Sequence, residues 1–167
     1  MRFTLTYSLR QIVRSSGRTV VPVLILALGI ANLRAGDAPI RLKPEDMKWV
    51  ASPSMHGLMT AVLAGNPAAP GPYVERILIP PNSRLQPHSH PNEGRLVTVL
   101  SGTLYFAFGE TFDEGKLVAL PAGSFFAEPA NVAHHALTKG VGAVLQLQAM
   151  GPAGATTYVK VAPAKTK

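Results

Sequence analysis

One stretch of the sequence decides the fold: Pro87-His88-Ser89-His90-Pro91-Asn92-Glu93-Gly94-Arg95. An alternating apolar run follows it, from Leu96 to Gly102. On a β-strand, residues i and i+2 project from the same face, so the imidazoles of His88 and His90 are predicted to converge on one point. Two imidazoles beside a strand-like run indicate a metal clamp built on that strand.

A second pair of histidines lies about 45 residues further along the chain. His134 and His135 adjoin another strand-like segment, and His56 is the one remaining histidine. On a strand, His134 and His135 face opposite ways, so His134 alone is expected to join the first pair. His56 lies in a segment rich in Ser, Pro and Gly, which predicts a surface loop. The fold is therefore expected to bring His88, His90 and His134 together.

The sequence after residue 57 has the pattern of an all-β domain. Short apolar or alternating segments are separated by Gly and Pro clusters, and none shows sustained helical periodicity. The predicted strands are Leu58–Ala64, Tyr73–Ile79, Leu85–His90, Leu96–Phe108, Lys116–Leu120, Ser124–Ala127, His134–Thr138, Ala143–Gln148 and Thr156–Val161. Strands of this length and spacing indicate a sandwich or barrel. No internal repeat or linker divides them, so residues 37–167 are predicted to form a single domain.

Composition and charge narrow the function classes. The 167 residues are 47% apolar and contain no cysteine, which describes a globular domain without thiolate ligands or disulfides. The net charge of +7 does not describe the predicted domain, because five arginines and no acidic residue precede Asp37. From Asp37 onward, 11 Lys and Arg face 9 Asp and Glu. Such a weak surplus predicts no nucleic-acid partner.

Residues 1–36 have the pattern of an export signal. A basic start is followed by about a dozen apolar residues, Val20–Ala31, and small residues at Ala35 and Gly36 offer a cleavage point. This apolar run is short for a membrane-spanning helix and typical of a signal peptide. The alternative is an uncleaved N-terminal anchor, which would be the chain's one contact with a membrane. Both interpretations predict a periplasmic or secreted domain.

Two motifs in the segment 82–138 resemble those of the cupin superfamily, whose members are double-stranded β-helix barrels. The first family motif reads Gly, five residues, His-x-His, three or four residues, Glu, six residues, Gly. In this sequence Asn82 takes the first position, and five residues separate it from His88. His90 completes the His-x-His element, and Gly102 closes the motif. The resemblance covers roughly residues 58–150 and implies an all-β jelly-roll barrel.

The second family motif reads Gly, five residues, Pro-x-Gly, two residues, His, three residues, Asn. In this sequence it begins at Gly123 and continues with Pro129-Ala130-Asn131. His134 takes the histidine position and Thr138 the final one. Asn82 and Asn131 both replace glycine, and Asn is the side chain that best tolerates a left-handed backbone. The turns are therefore expected to survive these two changes.

A further departure from the motif changes the expected chemistry. Arg95 stands seven residues before Gly102, where the family has its metal-binding glutamate. Arginine stays charged and cannot ligate a cation. Strand alternation points Arg95 into the barrel with Val97, where it would orient a small anionic or carbonyl-containing ligand. Glu93 could supply a substitute carboxylate.

The resemblance thus implies a divalent transition metal held by His88, His90 and His134. Imidazole ligands suit Zn, Fe, Mn, Ni or Cu and leave open positions for a small molecule. Other residues are expected to support the site or contact the ligand: Gln86, Glu93, Arg95 and Glu128. Glu128 could instead pair with Arg95, which would make that arginine structural. A barrel whose histidines hold no metal is the remaining alternative.

Two functions stay open from the sequence. One is a metal-dependent enzyme, with oxygenation, isomerisation or hydrolysis as reaction classes that the family hosts. The other is a non-catalytic module that binds or senses a metal or small molecule, because a fold does not determine a function. The resemblance also implies a homodimer.

Overall fold

The computed structural model describes residues 39–160. The predicted signal peptide, residues 1–36, and the C-terminal residues 161–167 lie outside this range. Ten strands build the described part: β1 (Val50–Ala51), β2 (Met59–Ala64), β3 (Gly71–Ile79), β4 (Arg84–Ser89), β5 (Arg95–Phe108), β6 (Val118–Pro121), β7 (Phe125–Glu128), β8 (His134–Leu137), β9 (Ala143–Gly151) and β10 (Thr157–Tyr158). Two short 3-10 turns, Pro44–Asp46 and Glu114–Lys116, complete it. The predicted strands are confirmed to within three residues at each end.

The strands form one curled antiparallel sheet. Its hydrogen-bonded order is β1-β2-β3-β9-β5-β8-β4-β10, and β6 and β7 both pair with β5. Strands that are distant in sequence pair with each other, such as β3 with β9 and β4 with β8, which is the arrangement of a jelly roll. Within residues 39–160, no helix is long and apolar enough to cross a membrane.

Strand β5 closes the barrel because it belongs to both of its walls. Its first half pairs with β7 and β9, and its second half pairs with β6 and β8. The strand bends between the halves, where the register with β9 shifts between Val99 and Ser101. Gly102 has φ +73°, and a Cβ there would collide with the backbone of Gly142. Glycine is therefore required at this bend.

The core lies inside the curled sheet and is contributed by alternate residues of its strands. It includes Val97, Val99, Leu104 and Phe106 of β5, together with Leu145 and Leu147 of β9. Each of these side chains is at most 5% exposed. The period-two alternation of the sequence is thus realised as an apolar interior.

Both asparagines at glycine positions adopt the predicted left-handed backbone. Asn82 has φ +56° and Asn131 has φ +64°, and they are the non-glycine residues with positive φ in the described range. Each precedes a strand that carries metal-ligand candidates, β4 and β8 respectively. The prediction that these two turns survive the loss of glycine is confirmed.

Candidate metal centre

Three histidines converge inside the barrel. His88 on β4 and His134 on β8 are direct cross-strand neighbours, and His90 lies just past the end of β4. One ring nitrogen from each lies within 4.8 Å of the others. All three side chains are buried, with exposures of 2 to 3%. The predicted clustering of these residues is confirmed.

Backbone carbonyls set the orientation of two of these rings. The Nδ1–H of His88 donates to the carbonyl oxygen of Gln86 at 2.6 Å, and that of His134 donates to Val132 at 3.1 Å. Because a carbonyl only accepts, each Nδ1 carries the proton and each Nε2 keeps its lone pair. A hydrogen bond of this kind on the far nitrogen is the usual support of a metal-bound imidazole.

Gln86 supports the site through its backbone carbonyl, which accepts the hydrogen bond from His88. Its side chain is exposed. The register of β4 against β8 shifts between Leu85 and His88, and Gln86 lines a second pocket together with His88 and Tyr158. The prediction that the side chain of Gln86 supports the site stays a prediction.

Burial keeps the three imidazoles neutral. Removal from water lowers the pKa of His88 and of His134 to about 4, and it lowers the pKa of His90 to about 2. The positive charge of Arg95 lowers the pKa of His90 further in the same direction. Neutral imidazole is the ligating form, so proton competition at the nitrogen atoms is weak at neutral pH.

Arg95 is held by a buried carboxylate. Its Nε donates to Oε1 of Glu93 at 2.7 Å, and its Nη2 forms an ion pair with the same oxygen. The hydroxyl of Tyr73 donates to Oε2 of Glu93 at 2.7 Å. The Glu93 side chain is 0% exposed and that of Arg95 is 12% exposed. Both oxygens of Glu93 are therefore already engaged, and its role is to anchor Arg95.

The other end of Arg95 reaches the histidine cluster. Its Nη1 lies 3.1 Å from Nε2 of His90. Arginine can only donate, so Nε2 of His90 accepts this bond and its Nδ1 carries the ring proton. That Nδ1 is buried and has no hydrogen-bond partner among residues 39–160. The guanidinium thus uses the lone pair that a metal ion would need.

Glu128 is the carboxylate nearest to the imidazoles. Its Oε1 lies 3.6 Å from Nε2 of His134, and its Oε2 lies 3.8 Å from Nε2 of His90. Glu128 and Arg95 are cross-strand partners in the β5–β7 register. Burial raises the pKa of Glu128 to about 7, although the charge of Arg95 acts in the opposite direction. Within the described range, the ion pair of Arg95 is nevertheless formed with Glu93.

The three histidines line a pocket of about 670 Å³, a volume that includes its open mouth. Most of its wall is apolar, with contributions from Val97, Phe106 and Leu147. Ser52 and Ser54 line it from the loop before β2, and the hydroxyl of Tyr158 donates to the carbonyl of Ser54 at 3.0 Å. An apolar cavity with a few convergent polar groups suits a small molecule.

Sequence reasoning missed two residues on β3. Tyr73 anchors Glu93, and Glu75 lines the pocket. Burial raises the pKa of both groups. Both residues alternate with Ile77 and Ile79, which face the same interior. The alternation along β3 was the available signal, because a glutamate in phase with buried isoleucines must enter the barrel.

His135 and His56 lie away from the cluster. The backbone N–H of Asp113 donates to Nε2 of His135 at 3.2 Å, and the ring packs against Phe112. His56 is exposed, as its loop composition predicts. The metal-ligand candidates are therefore the three histidines named from the sequence.

Comparison with known proteins finds a family that matches the middle of the chain. Residues 75–145 match the family described as the cupin domain. Two germin-like proteins of Oryza sativa subsp. japonica are also similar. One, germin-like protein 9-3, is 30% identical over 97 residues, which are 57% of this chain and 45% of that protein. The other is 29% identical over 103 residues, 60% of this chain and 48% of its own length. The chain spans about half the length of the curated relatives it matches.

Solved structures give the same fold. The polyketide cyclase RemF from Streptomyces resistomycificus superposes with a TM-score of 0.62 at 19% identity, covering 75% of this chain and 89% of that one. An RmlC-like cupin from Shewanella frigidimarina superposes with a TM-score of 0.52 at 18% identity, covering 68% and 91%. At this level of identity the likeness establishes the fold alone. Residues 75–145 thus match the cupin domain, and the curled all-β barrel around them has the fold of the solved cupin structures.

Proposed function

We propose that this cupin binds one divalent transition metal through His88, His90 and His134 and presents it to a small molecule in the barrel. One observation carries the proposal. The three imidazoles are buried, their ligand atoms lie within 4.8 Å of one another, and two of them have Nδ1 tied to a carbonyl. Such an arrangement orients lone pairs toward a common point and keeps them unprotonated.

The donor set fits a metal ion of the first transition row. Imidazole suits Zn, Fe, Ni or Cu, a nearby carboxylate also admits Mn, and three imidazole ligands leave further positions open. Bound there, the ion would act as a Lewis acid or bind oxygen. The protein residues supply the shaped apolar wall, and Arg95 supplies a positive charge within it.

Arg95 points to the class of small molecule. Its guanidinium lines the pocket beside His90 and is held in place by Glu93. A fixed guanidinium in an apolar cavity favours a carboxylate or a polarised carbonyl group. We therefore propose a small anionic or carbonyl-containing ligand.

Elemental analysis of protein purified without an affinity tag tests the metal site. About one equivalent of a single transition metal is expected, either as purified or after reloading with each candidate ion. His88→Gln should lose this metal, whereas the control His56→Gln, at an exposed position, should retain it. Less than about a tenth of an equivalent in the reloaded wild type would contradict the proposal.

A second function is favoured by one feature of the site. Arg95 hydrogen-bonds the ligand nitrogen of His90, and an arginine used in this way is not free to orient a substrate. This favours a binding or sensing module over an enzyme. The metal-loaded wild type and an Arg95→Ala variant that keeps its metal should be compared on small carboxylic acids. Turnover that is lost in the variant supports the enzyme, and saturable binding without turnover supports the module.

Two further properties are proposed beside this activity. Export through residues 1–36 is supported by the basic start and apolar run of that segment. Its test is the mass of the protein recovered from the periplasm or medium, where a mass that includes Met1 and the residues after it argues against cleavage.

A homodimer is supported by Leu96 and Phe125, which are 49% and 61% exposed on neighbouring strands. A monomeric mass in solution argues against it.

A further inference from the structure

Glu128 is a largely buried carboxylate that accepts no hydrogen bond from residues 39–160. Its side chain is 11% exposed and lies at the end of β7. Its oxygens face Nε2 of His134 at 3.6 Å and Nε2 of His90 at 3.8 Å. These distances exceed those of hydrogen bonds. Among residues 39–160, no donor reaches either oxygen at hydrogen-bond distance.

The facing groups make this arrangement unfavourable for an ionised Glu128 unless a proton or a cation lies between them. Nε2 of His134 carries a lone pair, because its Nδ1–H donates to Val132. A carboxylate oxygen and a nitrogen lone pair are both hydrogen-bond acceptors, so they repel each other when they face without a proton between them. Arg95 does not relieve this contact by pairing with Glu128, because its ion pair is formed with Glu93. A cation between the carboxylate and the imidazoles satisfies Glu128 and His134, and it takes the lone pair of His90 in place of the hydrogen bond from Arg95.

The separations agree with a shared cation. Ligand atoms at about 2.1 Å from a tetrahedral ion lie about 3.4 Å from one another. The distances of 3.6 and 3.8 Å from the two imidazole nitrogens to Glu128 are close to this value. Only small side-chain movements are needed to bring these two distances to the separation of tetrahedral ligands.

We propose that Glu128 is the fourth protein ligand of the metal, so that the carboxylate is delivered by β7 instead of β5. The register supports this assignment, since Glu128 lies directly across from Arg95. The arginine and the carboxylate are thus exchanged between neighbouring strands at the same level of the barrel. The proposal rests on the proposed three-histidine metal site.

Four protein ligands restrict the metals that can accept a further molecule. A tetrahedral zinc ion held by three imidazoles and a carboxylate has no open position. Iron, manganese or nickel with higher coordination keeps positions for oxygen donors of a small molecule. A ligand should therefore bind directly to the ion in the iron, manganese or nickel form and not in the zinc form.

Metal affinity and the spectrum of a cobalt form test the assignment. Glu128→Gln keeps the shape of the side chain and removes its charge. Glu75→Gln removes a carboxylate of the same pocket that, within residues 39–160, forms no ion pair with the three imidazoles. Affinities are measured by chelator competition, and the visible spectrum of Co²⁺ reports the ligand field. Glu128→Gln should weaken binding by at least about 100-fold, the upper end of what loss of a supporting partner costs, and should change the spectrum. Glu75→Gln should keep the wild-type spectrum.

The outcomes separate this proposal from the one it rests on. Wild-type affinity and spectrum in Glu128→Gln would overturn the fourth ligand and leave the three-histidine site standing. An equal loss in both variants would assign the effect to pocket charge and also overturn it. Failure of the wild type to bind any metal would overturn the proposed function itself. Where Glu128→Gln does not fold, as judged by circular dichroism, Glu128→Asp replaces it, and retraction of the carboxyl should still lower the affinity at least about tenfold.

Discussion

The ion pair between Glu93 and Arg95 offers a sharp test of how the site is held. In the variant Glu93→Gln, Arg95 loses its negative partner while its guanidinium stays inside the barrel. The hydroxyl of Tyr73 can still donate to the amide oxygen that replaces the carboxylate. The perturbation is therefore chiefly electrostatic.

The burial of the pair determines the magnitude. The Glu93 side chain is 0% exposed and Arg95 is 12% exposed, so water does little to compensate the lost charge. Breaking a buried ion pair by removing one partner costs about 3 to 5 kcal/mol. For a chain of this size, each kcal/mol lowers Tm by about 2 to 4 °C, so a fall of about 6 to 20 °C is expected.

Thermal and urea unfolding followed by circular dichroism measure the loss. Glu110→Gln, which neutralises an exposed carboxylate in a turn, is the matched control and should change stability by less than about 0.5 kcal/mol. The double variant Glu93→Gln/Arg95→Gln removes both charges and should be more stable than Glu93→Gln alone. A loss below about 1 kcal/mol in the single variant, typical of a surface pair, would refute the reasoning. The reasoning would also be refuted if the free energy of unfolding lost in the double variant equalled the sum of the losses in the two single variants.

Three further outcomes are expected. In chelator competition, Arg95→Gln should bind the metal at least about tenfold more tightly than the wild type. The reason is that the lone pair of His90 Nε2 is released and a positive charge is removed. An unchanged affinity would argue that Arg95 does not compete with the metal. Burial and the bond to Glu93 raise the pKa of Tyr73 above its unfolded value near 10, so its contribution to stability is complete below that pH and is lost as pH rises above it. Urea unfolding at pH 8 to 11 should therefore show a steeper alkaline loss in the wild type than in Tyr73→Phe, and parallel curves would contradict this assignment. Metal at about 1,000 times its Kd should stabilise the fold by about 4 kcal/mol, and a chelator should reverse the gain; a Tm indifferent to metal would show that the ion does not bind the native state preferentially.

Local patterns were sufficient to predict the barrel. Alternation along β5 and the Gly and Pro clusters between segments located the strands, because both signals depend on neighbouring residues alone. The two histidine clusters were predicted to meet since a barrel must bring their strands together. Asn82 and Asn131 were understood from their backbone tolerance, and their positive φ values confirm it.

The irregular and long-range features of the site were not predictable in the same way. The register of β4 shifts between Leu85 and His88, and Pro87, which cannot donate to the ladder, is the local signal of this irregularity. From the sequence, Glu93 is a possible substitute ligand, because it lies two residues before Arg95. The structure instead engages both its oxygens with Arg95 and with Tyr73 from another strand. Partners twenty residues apart in sequence meet only after folding.

The sequence by itself determined the strands, the turns and the convergence of His88, His90 and His134, because these follow from side-chain alternation and from motif spacing. Only the tertiary structure decided which carboxylate pairs with Arg95 and which one faces the imidazoles. Glu93 neutralises Arg95, and Glu128 is left facing the imidazoles. The physical reason is that ion pairing depends on distances of a few ångströms across β3, β5 and β7, and those distances exist only once the sheet has closed.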